Sequence, residues 1–217
     1  MKYFDGLDNI FFDFDGTLCD TAGDIRDSWK AAFAELGVEV PRFDEVYRIG
    51  PPTEVAARLI FPDADDEFLS RLCLVYRKSY YSSGYPKSVA YPGADAMLAK
   101  LKAEGKKLFI ATNKNGAPLK QLVEKLGWDG LFVELLNRDL LPLDEYKKSR
   151  LLRQALEKYG LDPRRSAMVG DAATDIAAGR EAGVVTVAAT YGYGTWDELT
   201  ASGPDRTLSL DEVRGYL

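Results

Sequence analysis

Three short stretches of this chain set oxygen-bearing side chains directly after apolar runs. The first is Asp13-Phe14-Asp15-Gly16-Thr17, which follows Ile10-Phe11-Phe12. Carboxylates at i and i+2 lie on one side of an extended chain. Two acids that close repel unless a cation or a shared proton compensates them. A hard, oxygen-seeking Mg²⁺ is the natural compensator, and Mn²⁺ suits the same donors. Gly16 allows the chain to leave the strand sharply. A bare Asp-x-Asp is more often a solvated acidic turn. Here the preceding run is too apolar to face water.

The second stretch, Thr112-Asn113-Lys114, follows the run KLFIA. A hydroxyl and backbone N–H groups at a strand-to-loop turn can hold a phosphate oxygen, although alone this reads as an ordinary polar turn. The third, Gly170-Asp171-Ala172-Ala173-Thr174-Asp175, follows Ala167-Met168-Val169. Asp171 at a strand tip could hold a metal, while capping of the following helix describes Asp175 at least as well. A phosphate site also needs fixed positive charge. Lys147 and Lys148 form the basic cluster between the second and third stretches, and one of the two can serve as the clamp.

Residues 10–12 read as a buried strand and the text from about 20 to 85 as helical. Trp29, Ala32, Phe33 and Leu36 recur at spacings of three and four, with Gly37 as a helix stop. Leu69, Leu72, Cys73 and Tyr76 repeat that pattern, and Tyr80, Tyr81 and Tyr85 extend an aromatic run read as packing. From Tyr91 onward strands are expected at 107–111, 131–135, 167–169 and 184–188. Helices are expected at 94–104, 117–126, 151–159 and 175–182. Such alternation implies a parallel sheet covered on both faces. The expected architecture is α/β: a doubly wound, Rossmann-like sheet interrupted by a helical insert. The core is 1–18 with 88–217, and the insert is 19–87. All three stretches then stand at strand ends, where ligands bind in open α/β sheets.

Composition narrows the chemistry. The chain has 217 residues, 46% hydrophobic and 29% charged, which suits one core with a small appended domain. A net charge of −6 argues against a nucleic-acid partner. Histidine is absent, which removes Ser-His-Asp and Cys-His catalysis and phosphohistidine intermediates. The cysteines, Cys19 and Cys73, suggest neither a disulfide framework nor a metal site, so a reducing cytoplasm is the expected home. Cys19 reads as a small buried filler. The N-terminal segment resembles neither a signal nor a transit peptide. No apolar run approaches membrane-spanning length, so no membrane partner is expected.

Together the stretches resemble the motifs of the haloacid dehalogenase superfamily, in order and over almost the whole chain. FFDFDGTL is similar to the first motif, LFIATNK to the second and VGDAATDI to the fourth. The third motif is a lone Lys. Lys148-Ser149-Arg150-Leu151-Leu152 resembles the variant in which it opens a helix, although many relatives carry Lys-Pro there. The insert resembles the family's helical cap. Tyr91-Pro92-Gly93, Tyr191-Gly192-Tyr193-Gly194 and Gly203-Pro204-Asp205 resemble the phosphoglycolate-phosphatase-like branch.

The resemblance implies an Mg²⁺-dependent phosphatase acting on a small phosphorylated metabolite through an aspartyl phosphate. Asp13 is then the nucleophile and Asp15 the general acid and base. Thr112, Asn113 and Lys148 hold phosphate, and Asp13, the Asp15 carbonyl and Asp171 hold metal, with Asp175 and Gly16 in support. Phosphoglycolate is the best single substrate. A sugar-phosphate mutase is a rival, though such mutases often carry Val where Thr17 stands; a pyrophosphatase or nucleotidase is another. A haloalkanoate dehalogenase has little use for Asp15. A catalytically silent binding relative usually loses a nucleophile or metal acid, and none is lost here. Arg48, before Gly50-Pro51-Pro52, stands where a substrate loop is expected and could meet a substrate carboxylate, or be a solvated arginine before a turn.

Overall fold

The computed structural model describes residues 3–216. The chain divides into two compact units, Met1–Asp20 with Val89–Leu217, and Thr21–Ser88.

The first unit begins with β1 (Asn9–Phe12), buried at all four positions. A strand hidden on both faces needs apolar side chains on both, which is why Ile10, Phe11 and Phe12 run without alternation. After it come β2 (Cys19–Asp20) and, beyond the second unit, β3 (Val89–Ala90). These two short strands pair antiparallel, Cys19 opposite Ala90. The chain continues as α5 (Ala94–Ala103), β4 (Lys107–Ala111), α6 (Gly116–Lys125), β5 (Glu134–Leu136), α7 (Lys148–Tyr159), β6 (Ser166–Gly170) and α8 (Ala173–Ala182). It ends with β7 (Val185–Ala189), α9 (Trp196–Ala201), β8 (Arg206–Leu208) and α10 (Leu210–Arg214). The four helices not yet placed, α1 to α4, belong to the second unit.

Six strands form one parallel sheet in the order β5-β4-β1-β6-β7-β8. The chain adds β4 and β5 on one side of β1, then returns to build β6, β7 and β8 on the other. The direction of winding therefore reverses at β1, and the crevice beyond its carboxyl end is the natural ligand site. The register brings three strand ends level, with Phe12 opposite both Ile110 and Val169. Phe11 stacks on Phe109 of the neighbouring strand at 4.6 Å. On that face they join Met168 and the buried residues Leu151, Leu152, Ala155 and Leu156 of α7.

The second unit is helical: α1 (Ala22–Leu36), α2 (Phe43–Val46), α3 (Thr53–Ile60) and α4 (Asp66–Tyr81). Its core is aromatic. Trp29 is fully buried and stacks on Tyr76 at 4.2 Å, Tyr76 stacks on Tyr80, and Tyr85 meets Tyr80 edge-on. The tyrosine run is thus packing. Asp24, in the first turn of α1, accepts hydrogen bonds from the Lys87 backbone N–H and the Ser88 hydroxyl, which ties together the two ends of this unit.

The doubly wound parallel sheet matches the expected α/β class. Several boundaries move. The strand expected at 131–135 is Glu134–Leu136, because 128–131 form a turn, with Gly130 at positive φ. The helix expected from 151 starts at Lys148. Strand β8, helices α9 and α10, and the β2–β3 pair were not anticipated. Each is short, and a two- or three-residue strand carries no period to read.

Candidate active site

Beyond the ends of β1, β4 and β6 the sheet presents four carboxylates and two ammonium groups. Asp13 directly follows β1, and its N–H is held by the Val169 carbonyl at 2.8 Å. Its carboxylate is buried with those of Asp171 and Asp175, and one oxygen of each lies within 4.8 Å of the others. Lys148 reaches this cluster from the first residue of α7. Its Nζ is 2.5 Å from Asp175 Oδ1 and 3.2 Å from Asp13 Oδ1. Lys147, at the helix cap, is exposed, so only Lys148 points inward.

Asp175 has two roles. Its Oδ2 accepts from the Ala172 N–H at 3.1 Å, which caps α8, while Oδ1 receives Lys148. Asp171 is held by two donors, the Thr17 hydroxyl at 2.8 Å and the Tyr193 N–H at 2.7 Å. Asp15 turns to a second cation: its Oδ1 is 2.8 Å from Lys114 Nζ. Thr112 is buried at the end of β4, and its Oγ1 accepts from the Lys114 N–H. Asn113 Oδ1 accepts from the Tyr146 hydroxyl at 2.7 Å, and that hydroxyl also lies 3.1 Å from the Thr112 carbonyl. Arg138 stacks its guanidinium over the Tyr146 ring at 4.5 Å.

Backbone freedom matters at two places. Gly16 has φ +84°, and a Cβ there would lie 2.3 Å from Asp171 Oδ2. In the loop after β7, a Cβ on Gly192 would lie 2.3 Å from Asp171 Cβ, and one on Gly194 2.0 Å from the Asp171 carbonyl oxygen. This loop wraps Asp171 so closely that only glycine fits. Tyr191 anchors it through its hydroxyl on the Thr17 carbonyl, and Tyr193 through its hydroxyl on Asp20 Oδ1.

The electrostatics state what the site lacks. Burial raises the Asp13 carboxyl to about 7, with Lys148 opposing and Asp175, Asp171 and Asp15 reinforcing. Burial and Asp175 raise Asp171 to about 6. Lys148 stays charged: burial disfavours its ammonium, but Asp13 and Asp175 outweigh that and push its pKa up. Four carboxylates against two ammonium groups leave the ionised site short of two positive charges. Asp13 Oδ1 is buried and receives no hydrogen bond of good geometry from any of the described residues, even from Lys148. A divalent, oxygen-seeking cation fits both the deficit and the donor set.

Of the residues singled out by sequence, Asp13, Asp15, Thr112, Asn113, Lys148, Asp171, Asp175 and Gly16 all stand at these strand ends. Arg48 lies in the other unit, exposed in the loop between α2 and α3. Sequence reasoning missed Lys114 as the partner of Asp15, Tyr146 behind the Thr112 turn, and the grip of 191–194 on Asp171. The Tyr191-Gly192-Tyr193-Gly194 phrase was visible, but nothing in it named its target.

The sequence matches the model of the haloacid dehalogenase-like hydrolases over residues 7–183. The chain belongs to the haloacid dehalogenase-like hydrolase family. A phosphoglycolate phosphatase of Neisseria gonorrhoeae is 35% identical over 96% of this chain and 89% of that protein. A 5'-nucleotidase of Pseudomonas aeruginosa is 28% identical over 90% of this chain and 88% of its own length. Among solved structures, one described as a predicted phosphoglycolate phosphatase from Haemophilus somnus superposes with a TM-score of 0.85 at 26% identity, covering 96% of each chain. The family membership agrees with the order of the motifs and with the fold. No helix among the described residues of this hydrolase is long and apolar enough to cross a membrane.

Proposed function

We propose that this hydrolase is an Mg²⁺-dependent phosphatase that removes phosphate from a small monoester, with phosphoglycolate the first candidate, by way of an aspartyl phosphate on Asp13. The observation that carries this reading is the division of cations at one strand tip: Lys148 beside Asp13, and Lys114 on Asp15. Two carboxylates two residues apart thereby occupy different environments, which suits two different roles.

In the first step an Asp13 oxygen bonds to phosphorus while the bond to the leaving oxygen breaks, and Asp15 gives that oxygen its proton. In the second, Asp15, now a carboxylate, takes a proton from a water whose oxygen attacks the same phosphorus, and Asp13 is released. Lys148, the Thr112 hydroxyl and the Asn113 N–H hold the phosphoryl oxygens and favour the charge that builds on them. Asp13, the Asp15 carbonyl and Asp171 would hold Mg²⁺, with Asp175 keeping Lys148 in place. Bound there, the ion supplies charge neutralisation for the transferring group. The helical unit at 21–88 is read as the cap that excludes bulk water, and Arg48 as a residue that selects substrate.

The choice of phosphoglycolate leans on the phosphoglycolate phosphatase relative, and the nucleotidase relative makes a nucleoside monophosphate the second substrate class. The test is phosphate release from phosphoglycolate, pyrophosphate, hexose phosphates, nucleoside monophosphates and a chromogenic phosphate, with Mg²⁺ and with EDTA. Metal-dependent release by wild type, abolished in Asp13→Asn, is the expected result. No release from any substrate by the folded, metal-loaded protein would refute the reading and favour a mutase or a binding protein.

A further inference from the structure

Lys114 is an unusual lysine. Its side chain is 4% exposed, yet it carries a charge into the interior beside the strand ends. An ammonium there is tolerated only when paired, and its partner is Asp15 Oδ1 at 2.8 Å, across 99 positions of sequence. The pair is braced on both sides. The Lys114 N–H donates to Thr112 Oγ1 at 3.3 Å, and its carbonyl accepts from the Arg138 N–H at 3.0 Å. Its Nζ lies 5.8 Å from the centroid of the Phe14 ring, and Phe14 is a fully buried residue set between Asp13 and Asp15.

We propose that Lys114 is a positioning residue of the reaction, holding one oxygen of Asp15 so that the other is aimed at the oxygen that receives or gives up the proton. An aspartate has two side-chain torsions, so fixing Oδ1 on a braced cation fixes the plane of the carboxyl and with it the direction of Oδ2. The backbone that supplies Lys114 also supplies Thr112 and Asn113. One loop thereby sets the proton-transfer group and the phosphate-holding turn in register. Lys148, by comparison, contacts Asp13 and Asp175.

This inference rests on the phosphatase reading, and it predicts a selective defect. An alkyl phosphate such as phosphoglycolate needs its leaving oxygen protonated, whereas p-nitrophenolate leaves with little help. The parameter to follow is kcat/KM of the full, Mg²⁺-loaded chain, which reports the step that expels the leaving group. Lys114→Met should lower kcat/KM for phosphoglycolate at least about 10-fold more than for p-nitrophenyl phosphate, within the reach of general acid catalysis. Asp15→Asn should show the same bias, and Lys114→Gln, which keeps a donor, should fall between wild type and Lys114→Met. Equal losses on the two esters, or none, would overturn the proposal and leave Lys114 as a structural or phosphate-binding cation. If Lys114→Met fails to fold, the ratio in Lys114→Gln decides by the same criterion. Wild type inactive on both esters would instead remove the phosphatase reading itself.

Discussion

The Thr17 hydroxyl donates to Asp171 Oδ1 at 2.8 Å, joining the turn after β1 to the turn after β6 across 154 positions of sequence. Both residues are buried, and the other Asp171 oxygen is taken by the Tyr193 N–H. With one oxygen on each donor, the carboxylate has a single orientation. Partners that orient a metal-binding carboxylate typically contribute about 10–100-fold in affinity or activity. Thr17→Val keeps the volume and removes the donor. The Mg²⁺ concentration for half-maximal activity should rise by about that factor, and a Mg²⁺ titration of phosphate release measures it.

Replacing Lys148 by Met removes the ammonium that pairs with both Asp13 and Asp175. Breaking a buried pair from one side typically costs about 3–5 kcal/mol when the remaining charge cannot adapt. Here Asp13, whose burial favours the protonated form, can adapt by taking up a proton, so the loss in metal-free protein should be large near pH 8 and much smaller near pH 5. Urea unfolding at the two values tests this. Turnover should fall about 10²–10³-fold or more, as for removal of a preorganised donor to a developing charge.

The metal-free protein should lose stability as pH rises. Asp13 is raised from 3.8 to about 7 and Asp171 from 3.8 to about 6, so the folded state binds these protons more tightly than the unfolded chain. Their contribution is fully present below pH 3.8 and is lost as pH climbs through about 6 to 7. Mg²⁺ needs the deprotonated carboxylates, so its stabilising effect should grow over the same window, with protons released on binding. Thermal melts with Mg²⁺ and with EDTA at pH 5.5, 7 and 8.5 should therefore diverge progressively. Melts that stay parallel would contradict the assignment of the cation to these carboxylates.

Gly192→Ala should act on the same carboxylate from the opposite side. The added carbon would stand 2.3 Å from both Asp171 Cβ and the Gly16 carbonyl oxygen, and neither can yield without moving its turn. The expected outcome is weaker Mg²⁺ activation with secondary structure intact, checked by activity and circular dichroism together.

In the helical unit, Trp29→Ala should cost about 3–5 kcal/mol, the range for emptying a large buried aromatic site. The ring is wholly buried against Phe33, Tyr47 and Tyr76. Its Nε1 has no hydrogen-bond partner among the described residues, so Trp29→Phe forfeits packing alone and should cost markedly less. Chemical denaturation of the two variants gives the comparison.

Much of the site is legible in the sequence. Asp13, Asp171 and the Thr112 turn each follow a run of residues too apolar to be anything but a buried strand, and parallel strands deliver their ends to one edge. Composition also spoke directly, since a chain without histidine must assign its proton transfers elsewhere. Periodicity likewise located α1 and α4, because a helix packed on one side must repeat its apolar residues at three and four. What the linear text could not decide were the partnerships. Lys148 rather than Lys147 faces the acids because α7 begins one residue after Lys147, and a helix start fixes which of two neighbours turns inward. Lys114 finds Asp15, Tyr146 finds Asn113, and the 191–194 loop closes on Asp171, in each case over tens of residues or more. Local spacing encodes strand, helix and turn. Which charge meets which depends on strand order and register, and those are set by the burial of the whole sheet at once.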